Sequence, residues 1–260
     1  DRSLRTFKDA LALNPRDPDA LSQLVRISED LSEWGDAYDY AVRLQKVQRH
    51  RDTRHLSYLL AQKAQFMAEG GMHFRAAWAL RSAIRLHQEN MLARIFLAEL
   101  YLKVGKPDRA LRTMQKALRE MPHKSFMVMG LLKEIFLGMQ DAEGYLKTLH
   151  SLALEHHQKR AMIQELQEFT ELKKPERARE VVRSLVKHFG RSRLVQRLLW
   201  DMKRKRTLPE DLEAEVAQIL STSEQMMDPF TCIYCGYKTL DILHRCPNCK
   251  EWNSFADGEG

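Results

Sequence analysis

Four cysteines, Cys232, Cys235, Cys246 and Cys249, lie within eighteen residues of one another, and the sequence has no others. They form two C-x-x-C pairs separated by ten residues. Two such pairs bring four thiolates to one point, the donor set of a tetrahedral metal ion. Each pair is expected to form a tight knuckle. Gly236 can take a positive φ without steric cost, and Pro247 stiffens the second turn. Tyr237 to Arg245 is long enough for a small hairpin between the knuckles. A single pair would suit thioredoxin-type redox chemistry, but doubled pairs outside a βαβ pattern argue against it. A disulfide framework belongs to secreted chains, and nothing in the sequence points to secretion. Zinc and iron both accept four sulfurs, and spacing does not choose between them. Four protein ligands close the site to water and substrate, so it is structural or redox-active and not hydrolytic.

The remaining chain must position this module. It has 260 residues, 44% of them hydrophobic and 30% charged, with little glycine and much Ala, Leu, Glu, Lys and Arg. This composition favours helix and allows a sizeable core, in one elongated domain or two compact ones. No apolar run approaches the roughly 20 residues of a membrane span, and no signal-peptide pattern opens the chain. Asp1 stands where an initiator Met would, and the first fifteen residues read as the second half of a helical hairpin, so a preceding segment is expected.

A repeat organises the helices. Gly71, Ala76 and Ala83 recur 34 residues later as Gly105, Ala110 and Ala117, and Lys106-Pro107-Asp108-Arg109-Ala110 is echoed by Lys174-Pro175-Glu176-Arg177-Ala178. A 34-residue period with alanines at these offsets is the tetratricopeptide signature, and an ordinary helical bundle would not keep it. Small residues let paired helices approach closely: Ala64 and Ala98 on first helices face Ala76 and Ala110 on second ones. Leu97, Tyr101 and Met114 fill the space between repeats. The expected fold is an all-α tetratricopeptide superhelical solenoid over residues 1–224, followed by a small rubredoxin-like, zinc-ribbon β module over 225–260.

In this register a trailing helix ends at Asn14-Pro15. A hairpin spans Asp19 to Arg49, broken at Trp34-Gly35-Asp36. The charged stretch Gln48 to Arg54 then shifts the register by about five residues. Repeats follow at about 57–88 and 91–122, a degenerate one at 125–156 with Leu132 and Gly144 at small-residue positions, and a fifth at 159–190. Two closing helices are expected, one carrying Leu194, Leu198, Leu199 and Trp200, the other starting near Thr207 with Pro209 in its first turn. First helices of such arrays line a groove, which makes Tyr58, Leu92, Ile95, Leu102, Phe126, Met129 and Phe136 candidate partner contacts, with Glu99, Lys103 and Lys133 beside them. Most apolar residues at helical spacing are core, so fewer than half of these are expected to meet a partner. No Lys and Asn cluster able to clamp a peptide carboxylate is evident.

The net charge of +7 would suit nucleic acid, anionic lipid or an acidic partner. The densest basic run, Lys203-Arg204-Lys205-Arg206, reads as a solvated helix end that complements the helix dipole. His150, Glu155, His156 and His157 lack metalloprotease spacing and read as exposed. A phosphate loop, a dinucleotide-binding glycine pattern and a nucleophile elbow are all missing, and no residue set reads as catalytic.

The array followed by Phe230-Thr-Cys232-Ile-Tyr-Cys235-Gly236 and Arg245-Cys246-Pro247-Asn248-Cys249-Lys250-Glu251-Trp252 resembles the lipopolysaccharide assembly protein B (LapB) family over essentially the whole chain. The segment Cys246 to Phe255 is also close to the ribbon of RadA/Sms recombination ATPases. Those proteins carry the ribbon at the N-terminus before an ATPase core, an order this chain does not share. Lys250 departs from the Gly common in rubredoxin knuckles, which implies some backbone strain but removes no ligand. The resemblance implies a metal site at Cys232, Cys235, Cys246 and Cys249 holding one iron or zinc ion, and a regulator without enzymatic activity. It further implies the cytoplasmic face of the bacterial inner membrane, reached through an N-terminal anchor that precedes this chain. The implied partners are the LpxC deacetylase, whose degradation the family promotes, the FtsH protease that carries it out, and other lipopolysaccharide assembly proteins. A scaffold for those assembly enzymes is an alternative, and a nucleic-acid-binding ribbon protein a weaker one. Met226 and Met227, with Trp252 and Phe255, are expected to dock the metal module onto the helices.

Overall fold

The computed structural model describes residues 2–49, 52–155, 158–190, 192–208, 213–214, 216–217, 230–239, 241, 243–252 and 254–256. Helix α1 (Arg2–Leu13) precedes five helical hairpins. These are α2 (Pro18–Asp30) with α3 (Trp34–Gln48), α4 (Thr53–Glu69) with α5 (His73–Leu86), and α6 (Met91–Lys103) with α7 (Pro107–Glu120). They continue as α8 (Met129–Gly138) with α9 (Ala142–Leu154), and α10 (Lys159–Glu171) with α11 (Pro175–Phe189). Helix α12 (Arg193–Arg204) follows, and a 3₁₀ segment, Pro122–Met127, precedes α8. The chain is a tetratricopeptide array that ends in a small three-stranded sheet. The second closing helix expected from Thr207, and a domain boundary at 224/225, fall largely or wholly outside the described residues. No helix among the described residues is long and apolar enough to cross a membrane.

The turn inside each hairpin is built in one way. A residue in the left-handed region follows the first helix, and the next N–H donates to the carbonyl five residues back. Ser32, Gly71, Gly105, Gln140, Lys173 and Arg206 hold the positive φ. The closing bonds are Glu33 to Ser28, Met72 to Met67, Lys106 to Tyr101, Asp141 to Phe136, Lys174 to Phe169 and Thr207 to Met202, at 2.8–3.0 Å. Only two of the six positions are glycine, which is why the other turns carry a weak sequence signal. The first turn lies at 31–33, not at Trp34-Gly35-Asp36, which instead open α3. The same turn recurs at Arg206, after α12.

Packing divides the chain into two compact units, residues 1–114 and 115–260. In the first unit Ala61, Ala64, Ala76, Ala79 and Ala83 are buried and let α4 and α5 meet backbone to backbone. Leu97 and Met114 are buried as the repeat predicts, and Tyr101 is half-buried. Buried Asn90 ties three helices together: its Oδ1 accepts from the Ala93 N–H at 2.9 Å, and its Nδ2 donates to Ser57 Oγ at 2.7 Å. Ser57 Oγ in turn donates to the Ala83 carbonyl at 2.7 Å. In the second unit the same positions recur as Ser125 and Gln158, 3.3 Å apart. Asn90→Ala removes a helix cap and leaves a buried hydroxyl short of its donor. It is expected to cost about 2–3 kcal/mol, read as a lowered urea midpoint for the first unit.

The second unit carries the degenerate repeat. Leu132, Ile135, Phe136, Tyr145 and Leu149 are buried there. Asp141 caps α9 by accepting from the Gly144 N–H at 2.8 Å. A Cβ at Gly144 would collide with the Asp141 carboxylate and stand 2.9 Å from Phe136 Cε1. Gly144→Ala, although it restores the alanine of the repeat and gains about 1 kcal/mol of helix propensity, is therefore expected to lower stability by about 1–3 kcal/mol. Thermal unfolding of the variant checks the sign.

Candidate metal centre

The ribbon grows from two knuckles of identical backbone design. In the first, the Gly236 N–H donates to the Cys232 carbonyl at 2.9 Å, and the Cys232 N–H donates to the Tyr237 carbonyl at 2.8 Å. In the second, the Lys250 N–H donates to the Cys246 carbonyl at 3.0 Å, and the Cys246 N–H to the Glu251 carbonyl at 2.8 Å. Both turns need a left-handed residue directly after the second cysteine, and Gly236 (φ 72°) and Lys250 (φ 63°) occupy those places. Lys250 thus carries the strain that its side chain implied. Lys250→Gly is expected to stabilise the ribbon by up to about 1 kcal/mol, part of the relief being lost to a freer unfolded chain. A chelator competition titration that follows metal retention checks this.

Strands β1 (Phe230–Cys232), β2 (Lys238–Thr239) and β3 (Phe255–Ala256) form an antiparallel sheet in the order β2-β1-β3. An isolated bridge between Arg245 and Trp252 closes the second knuckle. The sheet is too small to bury a core of its own, so the cysteines supply the cross-link.

The four sulfurs all lie within 4.8 Å of one another. Cys232 to Cys249 and Cys235 to Cys246 are each 3.6 Å apart. Metal–sulfur bonds of about 2.3 Å at tetrahedral angles require about 3.8 Å between sulfurs, so the cluster fits one tetrathiolate ion. Cys232 and Cys246 are buried, and Cys235 faces solvent. Burial opposes ionisation of Cys232, but hydrogen bonds from the Ser254 hydroxyl, the Cys235 and Tyr234 N–H groups and the Cys249 thiol outweigh it, bringing its pKa down to about 6. The Tyr237 N–H and the Asn248 side chain likewise hold the Cys235 thiol below its usual range. Ser254 and Asn248 are parts of the site that sequence reasoning missed. No spacing rule marks a hydroxyl or amide that faces a sulfur from the next turn.

Four sulfur ligands leave no open position, so a bound ion would supply a cross-link and no site for substrate. That cross-link would fix Phe230, which packs the ribbon against the helices. The Phe230 ring stacks on Phe126 of the 3₁₀ segment at 4.9 Å between centroids, and the Arg160 guanidinium of α10 lies 4.3 Å over it. Phe126, Phe230, Cys232, Cys246 and Phe255 form one buried cluster against which Met127 and Leu243 pack. Phe255 thus docks as expected. Trp252 does not belong to this cluster; it sits 5.5 Å beneath the Arg245 guanidinium, its bridge partner. Met226 and Met227 lie outside the described residues.

The candidate groove residues take several places. Tyr58, Leu92, Ile95, Phe126 and Phe136 are buried. Leu102, Met129 and Lys133 are half-buried, while Glu99 and Lys103 are exposed. Lys133 Nζ lies 2.6 Å from Glu168 Oε1 and 3.7 Å from Glu171 Oε2. His150 Nδ1 lies 2.9 Å from Oε1 of buried Glu165, a pairing between α9 and α10, while Glu155 ends α9. His156 and His157 are outside the described residues.

Comparison with known proteins bears on the ribbon first. Residues 230–257 match the LapB-type zinc-ribbon family model, described as a rubredoxin metal binding domain. No curated protein matches the chain. Among solved structures, a tetratricopeptide repeat protein from Parabacteroides merdae is similar at 14% identity and a TM-score of 0.43, over 80% of each chain. The Thermus thermophilus tetratricopeptide protein TTC0263 is similar at 22% identity and a TM-score of 0.34, over 58% of this chain and 79% of that one. With its helical hairpins and tetrathiolate knuckles, the chain has a LapB-like architecture, a tetratricopeptide array carrying a zinc ribbon of rubredoxin type.

Proposed function

We propose that this protein is a non-enzymatic adaptor controlling lipopolysaccharide synthesis at the cytoplasmic face of the bacterial inner membrane, where it delivers the LpxC deacetylase to the FtsH protease. The observation that carries this reading is the LapB-type ribbon at residues 230–257, seated on helices of a fold used for protein interaction. The reading divides the chain into a partner-binding array, 1–224, and a metal ribbon, 225–260, that holds iron or zinc through Cys232, Cys235, Cys246 and Cys249. Glu99, Leu102 and Lys103 in the first unit, and Met129 and Lys133 in the second, are the accessible members of the candidate contact set. No residue is assigned a catalytic role.

The test is the half-life of LpxC in cells lacking this protein, restored with the full-length wild type or with Cys232→Ser. The expected result is LpxC that is stable without the protein, short-lived with the wild type and stable again with the variant. Unchanged half-lives, together with stable complexes between the protein and lipopolysaccharide assembly enzymes, would replace the adaptor with a scaffold.

A further inference from the structure

One surface of the first unit opens beside its core. Along α5, Phe74, Trp78, Ser82 and Leu86 recur at helical spacing and open onto a groove of about 740 Å³ whose far wall includes Tyr38 of α3 and Met67 of α4. Phe74 is 86% exposed and Trp78 62% exposed, although both are large apolar residues. The groove lies where the repeat period is broken. Helix α5 begins 39 residues after α3, whereas α7 begins 34 residues after α5. The inserted residues fall, in sequence, between the two helices that flank the groove.

Charge identifies the occupant. The groove is lined by Lys63, Arg75 and Arg85 and by no acidic residue. Lys63 is neutralised by Asp39 at 2.7 Å. Arg85 donates to the Ser82 hydroxyl at 2.7 Å, and Arg75 has no ion pair among the described residues. Two guanidinium groups near opposite ends of an apolar trough call for carboxylates flanking an apolar stripe. From Phe74 to Leu86 the trough runs about 18 Å, the length of roughly three helical turns. We infer that the α3–α5 groove is a docking site for an acidic amphipathic helix of a partner protein, its apolar stripe seated on Trp78 and Phe74 and its Asp or Glu side chains meeting Arg75 and Arg85. A concave trough receives anchor side chains, which a flat lipid surface would not supply. The inference does not depend on which protein the adaptor delivers.

The probe is a displayed library of helical peptides about 16 residues long, enough to span the trough. It is selected against the metal-loaded full chain, and enriched sequences are remeasured by fluorescence anisotropy. Enriched peptides are expected to carry apolar residues at i, i+4 and i+7 flanked by Asp or Glu. Trp78→Ala, at an exposed position that folding does not need, is expected to weaken them about 30-fold, the scale of an aromatic anchor. Arg75→Glu with Arg85→Glu is expected to reverse the charge preference. Failure to enrich any binder sensitive to Trp78→Ala overturns the inference, as do binders that are neutral or basic. Two other outcomes also overturn it. Binding to phosphatidylglycerol vesicles that Trp78→Ala abolishes, without peptide binding, assigns the patch to a lipid surface. Concentration-dependent dimers that the same variant dissolves assign it to a second copy of this chain.

Discussion

Stripping the metal is expected to unfold the ribbon and leave the helices standing. The three short strands have no core without the four-sulfur cross-link, and tetrathiolate sites of small domains hold about 10–16 kcal/mol of apparent binding free energy that is also folding free energy. Among the described residues almost all helix lies before residue 205 and none lies in the ribbon, so far-ultraviolet circular dichroism should change little on chelation. Residues 230–256 should become protease-sensitive, and Cys232 and Cys246, now buried, should react with alkylating agents. Cys232→Ser should reproduce this state without a chelator. A Cys232→Ser chain that keeps one metal ion per molecule would contradict the four-ligand site. Acid should act in the same direction. Folded-state hydrogen bonds hold the Cys232 pKa near 6, below the ordinary thiol value. Stability from that thiolate is present in full above the unfolded thiol pKa and is lost as pH falls through the folded one. Protons also compete with a bound ion for the four thiolates, so metal retention should fail on acidification.

The second large effect is expected at Phe126, 104 residues away in sequence from its partner Phe230. Phe126→Ala removes a buried ring from the seam between the ribbon and the 3₁₀ segment, a change of about 3–5 kcal/mol for a buried Phe. The loss should fall chiefly on docking, because the four sulfurs and the groups that hydrogen-bond to Cys232 and Cys235 all come from residues 232–254. Limited proteolysis should then release a metal-loaded fragment beginning before Phe230, while the wild type resists cleavage. Phe126→Leu, which keeps an apolar side chain, should restore part of the resistance. If Phe126→Ala stays as resistant as the wild type, the Phe126–Phe230 stack is not what seats the ribbon.

The clustering of the four cysteines was legible in the sequence because thiolates at C-x-x-C spacing have few other uses, and Gly236 announced the first knuckle. Lys250 announced the second only as an anomaly, and the structure resolves it as a non-glycine residue in a glycine conformation. The repeat was legible wherever alanines mark close helix contacts, at Ala64, Ala76, Ala98 and Ala110, all buried without residual exposure. The first hairpin turn was misplaced onto Gly35 because Ser32 holds the left-handed position, and a serine there gives no signal. Phe126 was legible as apolar, but it lies on the 3₁₀ segment that precedes α8 and not on a first helix, and its docking role was not legible. Its partner lies in another module, and periodicity reports only which face a residue is on, not what arrives to cover it. The same limit hid the α5 trough, whose Phe74 and Trp78 look in sequence like any core-facing pair.

On the reading given above, four cysteines hold one metal ion and through it the ribbon. Mass spectrometry of the full chain under non-denaturing conditions, paired with alkylation before and after chelation, tests it most directly. The expected result is a mass increment of one iron or zinc atom, resistance of the buried cysteines to alkylation while it is bound, and four alkylated cysteines afterwards. A chain that carries no metal and is four hydrogens lighter, with two disulfides in place of four thiolates, would contradict it.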